Sequence, residues 1–175
     1  MPDSGVRRIG DRLVLDFVGE WNRVEAGGKE DSSLQVWTLE GTAVDQLLVY
    51  SGVKNGDAIN DAVLTGSARA PLRRFRYRTG MQPDAVVALF AAMFGNDGSR
   101  FTSRAVEPFA FAGDGGFRFR YELIRRTDGA HLSGVGYGRV EAGVLYALVY
   151  QAPRLAFFPR HQGKVEQMAR SARLK

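Results

Sequence analysis

The stretch 117–123 reads Phe-Arg-Phe-Arg-Tyr-Glu-Leu, in which apolar and charged side chains alternate. Because successive side chains of a β-strand point to opposite faces, this period of two predicts a strand with one buried and one wetter face. The Asp-Gly pair at 128–129 favours a tight hairpin turn, since both central positions of such a turn tolerate a positive φ. A second, antiparallel strand is therefore predicted from His131 to Val140.

The stretch 144–150, Val-Leu-Tyr-Ala-Leu-Val-Tyr, follows a turn at 141–143 and is apolar on both faces. Such a strand is typical of a sheet that is covered from both sides. Two segments can supply the cover. The segment 83–94 begins with Pro and Asp and carries a wide apolar stripe, and the segment 159–172 has apolar residues at spacings of three, four and seven. We expect two helices packed on opposite sides of the sheet.

Further strands are predicted where β-branched and aromatic residues are frequent, at 12–18, 34–39, 44–50, 72–77 and 101–111. Pro108 favours an edge strand or a bulge in the last of them. The polar, glycine-rich stretch 25–33 is a predicted loop. With no internal repeat or linker, the sequence predicts one α+β domain over 1–175, an antiparallel sheet of about six to eight strands flanked by helices on both faces as an α/β/α sandwich.

The composition restricts the classes of function. The chain has 24 Lys and Arg residues against 19 Asp and Glu residues, a net charge of +5. This excess could attract nucleic acid, anionic lipid or an acidic protein; the alternative is that Arg simply replaces Lys across a solvated surface. The lack of cysteine excludes disulfides, thiolate nucleophiles and Cys-based metal sites. No apolar run approaches the about 18 residues of a transmembrane helix.

No catalytic or metal-binding motif stands out. His131 and His161 are the only histidines, and their spacing does not place two ligands on one helical face. Both are predicted to be surface or helix-capping residues. No Ser lies in a Gly-x-Ser-x-Gly turn between a strand and a helix. We therefore predict that the protein is not an enzyme and holds no metal and no cofactor.

The glycines of Gly-Val-Gly-Tyr-Gly at 134–138 allow two interpretations. A phosphate-binding loop would have to open a helix, because the helix N-terminus faces the phosphates, and this stretch lies between two strands. The favoured interpretation is structural: alternating glycines leave one face of the strand bare, so that a helix or an aromatic side chain can approach the backbone.

The densest basic cluster is Arg-Arg-Phe-Arg-Tyr-Arg at 73–78. On a strand, Arg74, Arg76 and Arg78 share one face, and Phe75 and Tyr77 share the other. The rings would then point away from the arginines and into the core, which argues against a platform for stacking bases.

Arg118 and Arg120 likewise share a face of their own strand. If the two sets of arginines are adjacent, they form a stripe suited to phosphates or carboxylates and are candidate partner- or anion-binding residues. The alternative is an ordinary half-exposed strand in which Arg is the common polar residue. Trp21 and Trp37 are candidate aromatic contacts to a partner, although a packing role is favoured for each.

Four segments carry a resemblance to a known family: Trp-Asn-Arg-Val at 21–24, Trp-Thr-Leu-Glu-Gly at 37–41, Leu-Leu-Val-Tyr-Ser-Gly-Val-Lys-Asn-Gly at 47–56, and Gly-Val-Gly-Tyr-Gly at 134–138. They resemble uncharacterised bacterial envelope proteins, often lipoproteins, of the Mog1/PsbP-like fold. The resemblance implies an antiparallel sheet between helices. Better-known proteins of this fold bind other proteins, one a small GTPase and another a photosynthetic complex, but fold does not fix the partner.

Three functional hypotheses follow. The preferred one is a non-enzymatic module of the bacterial cell envelope, periplasmic or lipid-anchored, that binds a protein partner or an envelope component through its sheet edge and loops. The resemblance implies a precursor whose leader ends in a lipidated Cys, and we expect residues 1–175 to follow that leader. The first alternative is a cytoplasmic protein that binds anions or nucleic acid through surface arginines. The second is a hydrolase or small-ligand binder with a pocket between sheet and helix.

Overall fold

The computed structural model describes residues 3–24, 33–59 and 74–175. They form an antiparallel sheet of ten strands with the order β1-β2-β3-β4-β9-β8-β7-β5, in which β10 also pairs with β2 and β6 also pairs with β7. The expected six to eight strands are therefore too few. The elements are β1 (Asp3–Ile9), β2 (Leu13–Arg23), β3 (Leu34–Thr38), β4 (Gln46–Val53), α1 (Pro83–Phe94), β5 (Arg100–Ser103), β6 (Glu107–Pro108), β7 (Phe117–Ile124), β8 (His131–Glu141), β9 (Val144–Pro153), α2 (Phe157–Ser171) and β10 (Arg173–Leu174).

The additional strands lie at the margins of the sheet. Strand β1 is an edge strand whose Val6 is 66% exposed, and its Val-Arg-Arg-Ile sequence does not alternate, so it gives no period-two signal. The predicted strand 101–111 is divided into β5 and β6, and Pro108 lies on an edge as expected. The predicted loop 25–33 lies outside the described residues except for Ser33. The first two residues of the predicted strand 72–77 also lie outside them.

Residues distant in sequence hold strand β2 in place. Its Leu13 and Val14 pair with β10 on one side and with β1 on the other. The Asp16 N–H donates to Ser171 Oγ over 2.9 Å, and Lys175 N–H donates to the Arg12 carbonyl over 2.8 Å. The segment that follows α2 is thus fixed to the first hairpin of the chain.

Strands β7 and β8 form the hairpin predicted from the alternating stretch 117–123. Three glycines of β8 lie opposite three aromatic residues of β7, and the rings lie over the glycine backbone: Gly134 with Tyr121, Gly136 with Phe119 and Gly138 with Phe117. A Cβ atom built on Gly136 would lie 2.2 Å from the Phe119 ring. The structural interpretation of the alternating glycines is confirmed.

The turn of this hairpin is wider than predicted. Only Gly129 has a positive φ, of 69°, whereas Asp128 does not, so the Asp-Gly pair is not the centre of a two-residue turn. The Gly129 N–H donates to the Arg125 carbonyl, and the Arg125 N–H donates to the Ala130 carbonyl. Asp128 stabilises this longer loop through its side chain, which accepts from Arg125 Nε and Nη2 over 2.9 and 2.7 Å and from the Ala130 N–H over 3.0 Å.

We predict an acid-dependent loss of stability from this loop. The hydrogen bonds from Arg125, followed by the one from the Ala130 N–H, lower the pKa of Asp128 from 3.8 to about 2. A depressed folded-state pKa contributes stability above the unfolded pKa, and that contribution disappears as the pH falls from about 4 to about 2. In urea unfolding, Asp128→Asn should therefore be less stable than the parent at pH 6 and approach it at pH 2. A stability difference that stays constant across this range would contradict the prediction.

The described residues form two separate hydrophobic clusters, and β9 contributes alternate residues to each of them. The first cluster contains Tyr146, Leu148 and Tyr150 with Val165 and Met168 of α2. The second contains Leu145, Ala147 and Val149 with Val86 and Phe90 of α1. The predicted burial of β9 on both faces is confirmed. Helix α1 has the predicted bounds, and α2 begins two residues earlier than predicted.

Asp45 ties the loop between β3 and β4 to the core. Its side chain is 1% exposed and accepts hydrogen bonds from Thr38 Oγ1, from the Leu39 N–H over 3.2 Å and from the Glu40 N–H over 3.0 Å. Its second oxygen accepts from the Tyr150 hydroxyl over 2.8 Å. A buried carboxylate is tolerated here because it is fully hydrogen-bonded.

Candidate interaction surface

The described part of the densest basic cluster, residues 74–78, lies on a short two-stranded ladder with a single β-bridge, so the predicted strand 72–77 is not a strand of the sheet over these residues. The Gly56 N–H donates to the Tyr77 carbonyl over 2.8 Å, and the Ile59 N–H donates to the Phe75 carbonyl over 2.8 Å. Residues 56–59 and 75–77 therefore run antiparallel, with an isolated bridge at Arg76. The backbone of residues 75–77, and with it that of Arg76, is held in this pairing.

The side chains of this ladder alternate as predicted. Phe75 is 7% exposed and Tyr77 is 0% exposed, and both belong to the hydrophobic cluster of α1. Arg74, Arg76 and Arg78 are exposed on the other side, and we call these three residues the arginine row. Burial of the two rings thus anchors the strand and directs the row towards solvent.

The charges of the arginine row are not neutralised within the described part of the chain, where none of its members has an ion pair. Arg76 Nη1 donates to the Gly56 carbonyl over 2.7 Å, which restrains its guanidinium group. Asp57 is the acidic residue of the facing turn, and its carboxylate accepts from the Lys54 N–H over 2.9 Å. The exposed Lys54 adds a further cation to that turn.

Arg118 is a structural residue in this fold. Its Nη2 lies 2.8 Å from Glu107 Oε2, its Nη1 lies 3.3 Å from Glu166 Oε1, and its guanidinium stacks 5.3 Å from the centre of the Phe109 ring. Its hydrogen bond to Glu107 raises the pKa of Arg118 and lowers the pKa of Glu107. The side chain is 16% exposed. Arg118 thus joins α2 to the segment that follows β5.

The two predicted sets of arginines do not form one stripe. Arg118 contacts Phe109, a member of the α2 cluster, whereas the arginine row flanks residues of the α1 cluster. Arg120 is exposed on β7. Of the five candidate arginines, three therefore form one exposed row, one is exposed elsewhere and one is engaged internally.

We predict that Arg118→Met lowers the free energy of unfolding by about 2 kcal/mol, because it leaves two carboxylates without their partner and removes a stacking contact. Arg120→Met is the matched control on the same strand and should change stability by less than about 0.5 kcal/mol. Urea unfolding of both variants provides the measurement. Equal effects of the two substitutions would assign no structural role to Arg118.

Trp21 and Trp37 are 0% and 2% exposed. The Trp21 ring meets Tyr150 edge-on at 5.7 Å, and the Trp37 ring lies 4.7 Å from that of Phe17. Trp21 Nε1 also donates to the Val18 carbonyl over 2.9 Å. Their burial favours the packing interpretation over direct contact with a partner.

His131 is exposed as predicted, but the prediction for His161 is wrong. His161 is 4% exposed, and its Nε2 lies 2.9 Å from Glu40 Oε1. Its Nδ1 lies 3.4 Å from Lys164 Nζ. The hydrogen bond to His161, with further contributions from the charges of His161 and Arg160, lowers the pKa of Glu40. His161 fixes α2 to the loop after β3, and its partner lies 121 positions away in sequence, so no local pattern could identify it.

Among the described residues, no group of three or more His, Asp or Glu side chains is arranged to hold a metal ion. Within the same residues, no helix is both long and apolar enough to span a membrane.

The fold is similar to that of a known protein. The solution structure of cyanobacterial PsbP (CyanoP) from Synechocystis sp. PCC 6803 matches 99% of this chain and 94% of its own, with a TM-score of 0.56 and 11% sequence identity. No family model matches the sequence, and no curated protein is significantly similar to it. At this low identity the structural similarity establishes a PsbP-like fold, as the sequence resemblance predicted, and it defines the fold alone.

Proposed function

We propose that this protein is a non-catalytic module of the bacterial cell envelope, periplasmic or lipid-anchored, that binds a partner protein. The observation that carries the proposal is the arginine row. It is exposed, its backbone is held by hydrogen bonds to residues 56–59, and it has no ion-pair partner among the described residues. The PsbP-like fold supports it, since better-known proteins of that fold bind other proteins. The envelope location rests on the sequence resemblance.

The buried polar groups favour a non-catalytic module. Asp45 is saturated by hydrogen bonds from its own loop and from Tyr150. His161 is held by Glu40 and Lys164 between a helix and a loop. The hydrogen bonds of these groups are made to other residues of the fold, so the groups are poorly placed to act on a substrate.

The arrangement of the helices supports a docking surface away from the sheet faces. We infer that α1 and α2 cover opposite faces of the sheet, because their buried residues belong to different clusters that take alternate residues of β9. An α/β/α sandwich of this kind leaves the edges, the loops and the ladder of the arginine row for a partner.

An affinity-capture experiment tests the proposal. The tagged protein is incubated in parallel with detergent-solubilised envelope and with soluble extract of the native bacterium, and captured proteins are quantified by mass spectrometry. We expect a partner that is enriched from the envelope fraction and displaced by excess untagged protein. Failure to enrich any protein in this way, or turnover of a substrate by the purified chain, would overturn the proposal.

The arginine row also supports a second candidate, a cytoplasmic protein that binds nucleic acid. Phosphate contacts of this kind release counterions, so affinity for DNA or RNA would fall steeply as salt increases. Electrophoretic mobility shifts at increasing salt concentrations measure this dependence. Negligible binding at low salt would remove this candidate and leave the first intact.

A further inference from the structure

The arginine row presents an exposed arginine at every second residue of 74–78, alternating with buried rings, and this spacing defines what it can bind. We propose that the row binds an acidic segment of the partner protein that presents carboxylates at the same interval. The inference rests on the proposed function and adds the chemistry of the partner to it.

The geometry of the ladder sets the interval. Successive residues of an extended chain advance by about 3.3 Å, so alternate residues on one face lie roughly 6.6 Å apart. A partner segment with Asp or Glu at every second position of an extended chain has the same repeat. Each guanidinium presents a planar fork of donors that matches a carboxylate, and three such pairs in register would fix the orientation of the partner.

The surroundings of the row favour a protein over a nucleic acid. Proteins that bind single strands combine a basic groove with aromatic rings on which bases stack. Here the two rings interleaved with the row, Phe75 and Tyr77, are buried in the α1 cluster and cannot serve as such a platform. A basic surface whose neighbouring rings are buried is better suited to the carboxylates of a protein than to the bases of a nucleic acid.

The ladder also prepares the row for binding. Its strand is fixed by backbone hydrogen bonds to 56–59, and Arg76 is restrained by the Gly56 carbonyl. Lys54 extends the positive surface, and the neighbouring Asp57 carboxylate accepts from the backbone. Binding therefore orders few groups beyond the ends of the arginine side chains, which limits its entropic cost.

Fluorescence anisotropy with defined probes tests the inference. The probes are a labelled peptide of alternating Glu and Ser, a peptide of the same composition with its Glu residues in one block, and a single-stranded DNA oligonucleotide. The row variant is Arg74→Gln with Arg76→Gln and Arg78→Gln. The matched control is Arg8→Gln with Arg23→Gln and Arg154→Gln, which removes the same charge from three exposed arginines elsewhere.

We expect the parent protein to bind the alternating peptide most tightly. The row variant should bind this peptide about tenfold more weakly than the parent, and the affinity of the control variant should change by less than about twofold. Thermal unfolding checks that both variants are folded. The inference would be overturned by any of four results: the block peptide binds as tightly as the alternating peptide, DNA binds more tightly than the alternating peptide, the two variants lose equal affinity, or no peptide binds. If affinity capture still recovers an envelope partner in any of these cases, the proposed function stands and only its partner chemistry is wrong.

Discussion

Gly136→Ala is expected to lower the free energy of unfolding by about 3 kcal/mol and the melting temperature by roughly 6–12 °C. The new Cβ would lie 2.2 Å from the Phe119 ring, which is fully buried and stacks against Phe90 and Tyr121. Because the ring is enclosed, it cannot move aside, and the strands themselves must separate. Differential scanning calorimetry and urea unfolding measure the loss.

Gly163→Ala is the matched control for this substitution. Gly163 lies in α2, and a Cβ built there meets no atom within 4 Å. Alanine should stabilise the helix by about 0.5–1 kcal/mol, since it restricts the unfolded chain more than glycine does. The double variant Gly136→Ala with Phe119→Leu should be less destabilised than the sum of its single substitutions. Additive effects, or equal effects at the two glycines, would show that the ring does not restrict this site.

Asp45→Ala is expected to cost about 3 kcal/mol of unfolding free energy, an effect of similar size. The Asp45 carboxylate accepts hydrogen bonds from four donors: the Thr38 hydroxyl, two backbone N–H groups and the Tyr150 hydroxyl. The substitution removes this acceptor and leaves the four donors unpaired in a largely buried region. Desolvation of orphaned donors, rather than loss of one bond, sets the size of the effect. Urea unfolding at neutral pH is the measurement.

Asp57→Ala provides the comparison for Asp45. Asp57 is an exposed loop aspartate whose carboxylate accepts one backbone N–H, that of Lys54. Water can satisfy this donor after the substitution, so the expected loss is about 1 kcal/mol or less. A loss at Asp57 as large as that at Asp45 would mean that burial does not determine the cost.

Local patterns in the sequence were sufficient for the regular core. Helix α1 begins at Pro83, whose fixed φ suits the first turn of a helix, and Gly95 follows its last residue. Strand β9 could be placed at the centre of the sheet because apolar residues on both faces require cover. The arginine row was predictable for the same reason, since a period of two is a property of adjacent residues.

Features that depend on distant partners could not be predicted in this way. The exposed edge strand β1 gains its structure from pairing with β2 rather than from its own pattern. Arg118 was correctly placed on the wetter face of its strand, yet its contacts with Glu107 and with Glu166, 48 positions away, are set by the tertiary fold. His161 depends in the same way on Glu40. The role of each side chain in the structure differs from the predicted one, because its partner lies far away in the sequence.

The attachment of β10 and α2 to β2 has a kinetic consequence. Leu13 pairs with Leu174, and the bond between Asp16 and Ser171 spans 155 positions, so the chain must close a very long loop before this part of the sheet is complete. Loop closure of this length costs entropy before any contact repays it, which places the protein among the slower-folding topologies. During that interval the first hairpin lacks its neighbour, and it is then that an exposed strand such as β1 is most prone to pair with another chain.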